Sequence, residues 1–313
     1  MSAAISTKLL PLLVSPDDRS ELLLEGDLLK SQDSGKTYAV REGIPLLYPE
    51  TVDREHLAEE RELAQQMKRS PSSDTDSFSL LEQWPQWKAN LWKQIQEIID
   101  RDSQKTTKTI VYIGAGYDKQ GDKFEKRGHT FVSFDLIYEM LKEHADEGKG
   151  SLFVAGDMNA LPFKESVFDY IILIDVIHHE CEDLQPILNS LYPILKPNGS
   201  LLLADVNAWG LFQWHKSLLL PKPIYRLLRA TYHNLIRSTH QPADYEFPTS
   251  PQQVQQVLNN IGFQQITFYP QPTFYPEVAP ILQKIYAWLS QWQRISIYHN
   301  YHYFLSAKKT IDR

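Results

Sequence analysis

Thr109-Ile110-Val111-Tyr112-Ile113-Gly114-Ala115-Gly116-Tyr117-Asp118 is the stretch whose reading decides the fold. A β-branched run that stops on Gly-x-Gly, with helix-compatible residues beyond it, reads as a buried parallel strand entering a ligand-cradling turn. Glycines lack a Cβ, so a ligand can lie directly on the turn. A Gly-x-Gly alone is weak evidence, and its weight comes from its flanks.

Downstream, strand and helix alternate. A helix over 118–126 leads to a strand over 130–134 that closes on Asp135. A helix over 137–145 leads to a strand over 152–155 that closes on Gly156-Asp157, and a strand over 170–174 closes on Asp175. The helix over 182–195 carries Leu184, Ile187, Leu188, Leu191, Ile194 and Leu195 at helical spacing. Lys196-Pro197-Asn198-Gly199 then turns the chain into a strand over 201–206. This alternation predicts an α/β fold: a parallel sheet with helices on both faces. Ligands of such sheets bind beyond the carboxyl ends of the strands, where Asp135, Asp157 and Asp175 stand. Asp135 follows Gly116 by about twenty residues, the spacing at which a carboxylate accepts hydrogen bonds from an adenosine ribose. Nicotinamide and sulfonium cofactors share that feature. The third glycine of a dinucleotide turn is replaced by Asp118, whose charge is unfavourable beside a diphosphate and tolerable beside a cofactor without phosphate.

The chain of 313 residues is long enough for a large domain and a small one. Its net charge of −7 argues against a protein whose business is gripping nucleic-acid phosphates. One cysteine, Cys181, provides neither a disulfide framework nor a thiolate zinc site, and an intracellular setting fits. The first residues lack a signal-peptide pattern and no apolar run is long enough to span a bilayer, so the expectation is a cytoplasmic protein.

Upstream, residues 1–50 alternate short apolar runs with turn signals, which predicts a small β-rich subdomain. The run Tyr38-Ala39-Val40-Arg41-Glu42-Gly43-Ile44-Pro45-Leu46-Leu47 and two pairs spaced like Cys-x-x-Cys resemble the small zinc-ribbon activator subunits of methyltransferases. At the ligand positions here stand Ser15 and Asp18, then Ser31 and Ser34. Serine hydroxyls are poor zinc ligands, so the expectation is the fold without the metal. Residues 51–107 read as a linker and an aromatic helical lid: a charged helix over 54–69, a polar stretch over 70–77, and a helix from Phe78 with Trp84, Trp87, Leu91, Trp92, Ile95, Ile98 and Ile99 on one face.

From Thr109 to Val206 the chain resembles the class I S-adenosylmethionine-dependent methyltransferases, in the branch that includes the quinone-biosynthesis enzymes. The resemblance rests on Gly114-Ala115-Gly116, Asp135-Leu136 with Met140-Leu141, and Gly156-Asp157-Met158-Asn159-Ala160-Leu161-Pro162-Phe163. It extends through Phe168-Asp169-Tyr170-Ile171-Ile172, Asp175-Val176-Ile177-His178-His179 and Leu195-Lys196-Pro197-Asn198-Gly199. It implies a Rossmann-like sheet of seven strands in the order 3-2-1-4-5-7-6 over 108–313, with a helical cap insertion over 208–249. It also implies a cofactor site of Gly114, Ala115, Gly116, Asp135, Leu136, Asp157, Met158 and Asp175, with Asp135 on the ribose and Asp157 on the adenine amino group. Two positions depart from the family pattern. Tyr112 stands where an acid is usual, and Asp118 replaces a glycine.

His179 and His178 follow the fourth core strand, where the transferred methyl would sit, and either could take a proton from an acceptor hydroxyl. Asp175-x-x-His178-His179 matches only in part a metal-binding acid-x-x-acid-His cluster of some quinone O-methyltransferases, and no metal is expected. The insertion after the fifth strand is basic and aromatic, which suits a cap over an acceptor pocket and admits contact with a membrane surface. Ser250-Pro251 should start a helix that ends at Gly262, ahead of a strand over 263–269 and a closing strand over 302–307. The expected activity is methyl transfer to a small apolar or aromatic acceptor, at oxygen. The rivals are a non-catalytic partner protein with a decayed site, an RNA methyltransferase, and, last, a dehydrogenase.

Overall fold

The computed structural model describes residues 5–69, 78–103, 106–118, 120–146, 152–180, 183–210, 248–271, 284–285, 288–289, 291–292 and 300–310. The polar stretch expected over 70–77, most of the cap insertion (211–247) and Cys181 lie outside them.

Four short strands come first: β1 (Leu22–Glu25), β2 (Leu28–Ser31), β3 (Thr37–Arg41) and β4 (Ile44–Leu47). Two helices follow, α1 (Arg54–Arg69) and α2 (Phe78–Ser103). The alternating part runs β5 (Thr109–Ile113), α3 (Gly121–Glu125), β6 (Thr130–Asp135), α4 (Tyr138–Asp146), β7 (Leu152–Gly156) and β8 (Phe168–Ile174). After it come α5 (Ile177–Glu180), α6 (Gln185–Ile194), β9 (Leu195–Val206), α7 (Pro251–Ile261), β10 (Phe263–Tyr269) and β11 (His302–Lys309).

The sheet has eleven strands where seven were expected, in the order β1-β2-β3-β4-β7-β6-β5-β8-β9-β11-β10. The additional four are the N-terminal strands. They form an antiparallel meander, and β4 then pairs parallel with β7 through Leu46 to Ala155 and Leu47 to Gly156. That pairing covers the N–H and C=O groups β7 would otherwise leave at a sheet edge. Arg19 reinforces the junction, its guanidinium donating to the carbonyls of Leu161 and Phe163 at 2.5 and 2.6 Å. At the far end β11 runs antiparallel to both β9 and β10.

Side chains alternate across β5, so each face of the sheet has its own core. Val111 and Ile113 pack with Leu188 and Leu191 of α6 and Leu258 of α7. Ile110 and Tyr112 pack with Trp92, Ile95 and Ile99 of α2. The aromatic stripe of α2 is therefore core: Trp87, Leu91 and Trp92 are almost fully buried. Helix α3 is shorter than its sequence pattern suggested, beginning at Gly121. Helix α7 begins where Ser250 accepts the Gln253 N–H at 3.1 Å and ends at Gly262, whose φ of +110° no β-carbon would favour. Among the described residues no helix is long and apolar enough to cross a membrane.

Candidate functional site

At the end of β5 the backbone bends through Gly114 (φ +73°) and Gly116 (φ +50°). The two glycines serve different ends. A Cβ on Gly114 would lie 2.2 Å from Val176 Cγ2, so this position is closed by packing. A Cβ on Gly116 would meet nothing closer than Met140 Sδ at 4.0 Å, and the Gly116 backbone borders open space. The Gly114 and Ala115 N–H groups both donate to the Phe134 carbonyl of β6, which fixes the bend against the neighbouring strand.

Asp135, at the end of β6, meets this bend. Its Oδ2 accepts the Gly116 N–H at 2.7 Å and its Oδ1 the Ile137 N–H at 2.8 Å. Burial pushes its pKa up to about 6, with those N–H bonds opposing the rise. Each oxygen retains a second lone pair for a further donor. At the end of β7, Asp157 accepts the Asn159 N–H at 2.8 Å, capping the short turn that holds Met158.

These strand ends surround a cavity of about 270 Å³. Of the ten residues singled out from sequence, Gly114, Gly116, Asp135, Leu136, Asp157, Met158, Asp175 and His179 line it. Ala115 and His178 do not. Ala115 is buried in the core beside Trp92, and His178 is buried beneath the site.

A further wall comes from the start of α1 and the residues just before it, through Val52, Asp53, His56 and Glu60. Their segment reads as a polar linker in sequence, and no local signal marks it as part of a site. Asp53 starts the helix by accepting the Glu55 and His56 N–H groups at 3.0 and 3.1 Å. The helix is tied down at Tyr48, whose hydroxyl donates to the Leu136 carbonyl at 2.7 Å, and by Arg61 facing Glu139 at 3.4 Å. The cavity is thus walled by five carboxylates, Asp53, Glu60, Asp135, Asp157 and Asp175, and among the described residues by no lysine or arginine. Such a wall favours a cationic ligand and disfavours a phosphate.

Asp175 sits at the end of β8 in the left-handed region, with φ +55°. Its Oδ1 is 3.0 Å from His302 Nε2 of β11, and the His302 ring stacks on Trp87 at 3.9 Å. Burial raises the Asp175 pKa, but His302, with Lys88 and His178 farther off, more than offsets it and holds the carboxyl below its ordinary value. His302 lies some 130 residues away in sequence, and only the antiparallel last strand brings it here.

His178 meets a partner that the sequence reading missed. Its Nδ1 lies 2.5 Å from Asp205 Oδ1, and Asp205 also accepts the Ile177 and Val206 N–H groups at 2.9 and 2.6 Å. The available signal was an acid inside the apolar run Leu201-Leu202-Leu203-Ala204-Asp205-Val206. The His178 ring lies 3.9 Å from that of His179, which does face the cavity. Asp175, His178 and Asp205 offer ligand atoms within 4.8 Å of one another, but a metal there would have to break these hydrogen bonds.

The two departures from the family pattern touch each other outside the cavity. Asp118 accepts the Trp92 indole N–H at 2.8 Å, lies 3.3 Å from Lys88 Nζ and 3.5 Å from the Tyr112 hydroxyl. Its charge therefore anchors α2.

The four ribbon positions also converge. Ser31 Oγ donates to Asp18 at 2.6 Å and accepts from Ser34 Oγ at 2.8 Å, and Ser15 Oγ accepts the Asp18 N–H at 3.4 Å. The hydroxyls of Ser15, Ser31 and Ser34 hold the Asp18 carboxyl well below its ordinary pKa.

Residues 111–203 match the family described as "Methyltransferase domain". The chain is similar to a demethylmenaquinone methyltransferase of Streptomyces griseus, 29% identical over 37% of this chain and 50% of that protein. It is also similar to a malonyl-[acyl-carrier protein] O-methyltransferase of Erwinia billingiae, 26% identical over 42% of this chain and 54% of that protein. The chain thus spans about half the length of the curated relatives it matches. Among solved structures, magnesium protoporphyrin IX methyltransferase from Synechocystis PCC 6803 with bound SAH aligns with a TM-score of 0.50 at 12% identity. That alignment covers 81% of this chain and 94% of that one, a likeness of fold.

Proposed function

We propose that this chain, whose residues 111–203 match the methyltransferase-domain family, is an enzyme that uses S-adenosylmethionine to methylate a small apolar or aromatic acceptor at oxygen. The observation that carries the reading is one cavity into which the Gly116 turn, Asp135 and Asp157 all open, walled among the described residues by five carboxylates and no lysine or arginine. The residues present fit the cofactor: its sulfonium and ammonium outweigh its single carboxylate, leaving a net cation, and no phosphate has to be accommodated.

When bound, the cofactor supplies an electrophilic methyl carbon on sulfur. Asp135 would accept the ribose hydroxyls with the lone pairs its backbone donors leave free, Asp157 would accept the adenine amino group, and Met158 would pack against the ring. Gly116 lets the backbone approach the methionine part. Asp53, Glu60 and Asp175 balance the positive charge. His179 faces the cavity and is the group that would receive the acceptor's hydroxyl proton. His178 supports it from below, its Nδ1–H given to Asp205. Most of the rate comes from alignment, because transfer from a sulfonium is already downhill. Oxygen is favoured because a hydroxyl acceptor needs the base that His179 supplies, and O-methyltransferases are among the relatives. We assign residues 1–50 as a ribbon-like module without metal, 51–107 as a connecting segment whose first helix walls the cavity and whose second packs into the core, and 108–313 as the methyltransferase domain with its cap insertion over 208–249.

The test is incubation with methyl-tritiated S-adenosylmethionine and a cell extract, followed by separation into organic, RNA and protein fractions. Label in the organic fraction is expected. Label confined to RNA or protein, or none above a heat-killed control, overturns the reading.

A further inference from the structure

The described residues leave seven large apolar side chains exposed, and four of them lie on the connections at the carboxyl edge of the sheet. Trp209 follows β9 and is 42% exposed, while Ile285, Trp288 and Trp292 precede β11 at 45, 56 and 61%. In sequence the last three recur at i, i+3 and i+7, the spacing of one helical face, and the Trp292 N–H donates to the Leu289 carbonyl at 3.0 Å. Leu289 is only half-buried behind them, and the Trp288 and Trp292 rings meet edge to face at 6.2 Å. By contrast Trp87 and Trp92 are nearly fully buried, so among the described tryptophan side chains the exposed ones lie at this edge.

Both connections spring from one point. The Asn207 N–H donates to the Tyr301 carbonyl at 2.8 Å, its side-chain amide to the Asn300 carbonyl at 3.0 Å, and the Asn300 amide to the Gln271 carbonyl at 2.8 Å. Charge is partitioned as well. The chain is net −7, yet residues 207–243 contain Lys216, Lys222, Arg226, Arg229 and Arg237 with no Asp or Glu. Residues 278–301 contain Lys284 and Arg294, again with neither acid, and Lys284 is exposed beside Ile285.

Exposed tryptophans with an exposed lysine beside them, in stretches whose sequence has lysine and arginine but no carboxylate, are the chemistry of binding to the interface of an anionic bilayer. Indole rings settle at headgroup depth and cations meet the negative surface potential. A protein partner of matching acidity would be drawn by the charges, but two exposed tryptophans whose rings touch suit headgroup depth better than a polar protein surface. We propose that this edge docks peripherally on an anionic lipid bilayer through Trp288, Trp292 and Lys284. Resting on the methyltransferase reading, the same docking would deliver an apolar acceptor from the bilayer to the carboxyl ends of the strands, where the cavity opens.

The experiment is co-sedimentation of the full chain with phosphatidylglycerol-containing vesicles and with pure phosphatidylcholine vesicles, at low and high salt. Quenching of tryptophan fluorescence by lipids brominated along the chain is read in parallel. Sedimentation with the anionic vesicles, reduced by salt, with quenching, is expected. The double variant Trp288→Ser/Trp292→Ser should partition at least about tenfold more weakly, and Lys284→Glu should weaken binding on its own. Circular dichroism and thermal unfolding verify that each variant is folded. Absence of sedimentation at low salt, equal binding to neutral vesicles, or wild-type binding by both variants overturns the proposal. None of these readouts involves methyl transfer, so their failure leaves the enzyme reading standing.

Discussion

Replacing Asp135 with Asn tests the geometry where it is most specific. The carboxyl is buried, accepts two backbone N–H groups at 2.7 and 2.8 Å, and has its pKa pushed up to about 6. Each ribose hydroxyl that donates to the ionised form makes a charge-assisted bond worth about 1.5–3 kcal/mol. Loss of one such bond in Asp135→Asn should weaken S-adenosylhomocysteine binding roughly tenfold to 150-fold. The parent itself should lose affinity about tenfold for each pH unit below about 6, as the carboxyl protonates, and stay flat above it.

Stability should run the other way. The folded pKa lies above the ordinary 3.8, so the folded chain holds the extra proton between about pH 4 and 6. The contribution of this group therefore falls as pH rises through that window, by about 3 kcal/mol in total. Asn removes that charge but leaves one backbone N–H facing an amide donor, at about 1–3 kcal/mol, so net stability at pH 8 should change little. Calorimetric titration from pH 5 to 8, with urea unfolding of both proteins, measures the two quantities separately. A parent affinity that is flat across this range, or an Asn variant within threefold of it, would refute the placing of the sugar on this carboxylate.

Asp118→Ala should cost about 1.5–3 kcal/mol in urea unfolding, through the lost Trp92 and Lys88 contacts. Its cofactor affinity should stay within about threefold of the parent, and a larger loss would mean Asp118 serves the site after all. Changing Ser15, Asp18, Ser31 and Ser34 together to Cys should create a tetrahedral thiolate site, because the four positions already meet. Cobalt titration should give the intense visible bands of a tetrathiolate. Weak octahedral absorption alone would count against a ribbon-like module.

Local pattern made much of the frame legible. The run Thr109–Ile113 ending on Gly-x-Gly, the strand-end acids Asp135, Asp157 and Asp175, and the Ser250-Pro251 start of α7 are decided by near neighbours. Each could be read because a strand, a turn or a cap depends on a few adjacent residues. The limits of that reading follow the same logic. Ala115 belongs to the same motif as Gly114 and Gly116, yet its side chain turns into the core. Adjacent His178 and His179 face different surroundings, one Asp205 and the other the cavity.

What the sequence determined by itself was the alternating α/β order and the set of acids that could meet a ligand, since backbone propensity and hydrophobic period are local properties. Tertiary structure decided what those acids meet. It joined β4 to β7 and so lengthened the sheet to eleven strands, laid α1 over the cavity, and brought His302 to Asp175 and Asp205 to His178. Such pairings depend on which strands become neighbours, which is settled by burial of the whole apolar surface at once rather than by any one segment.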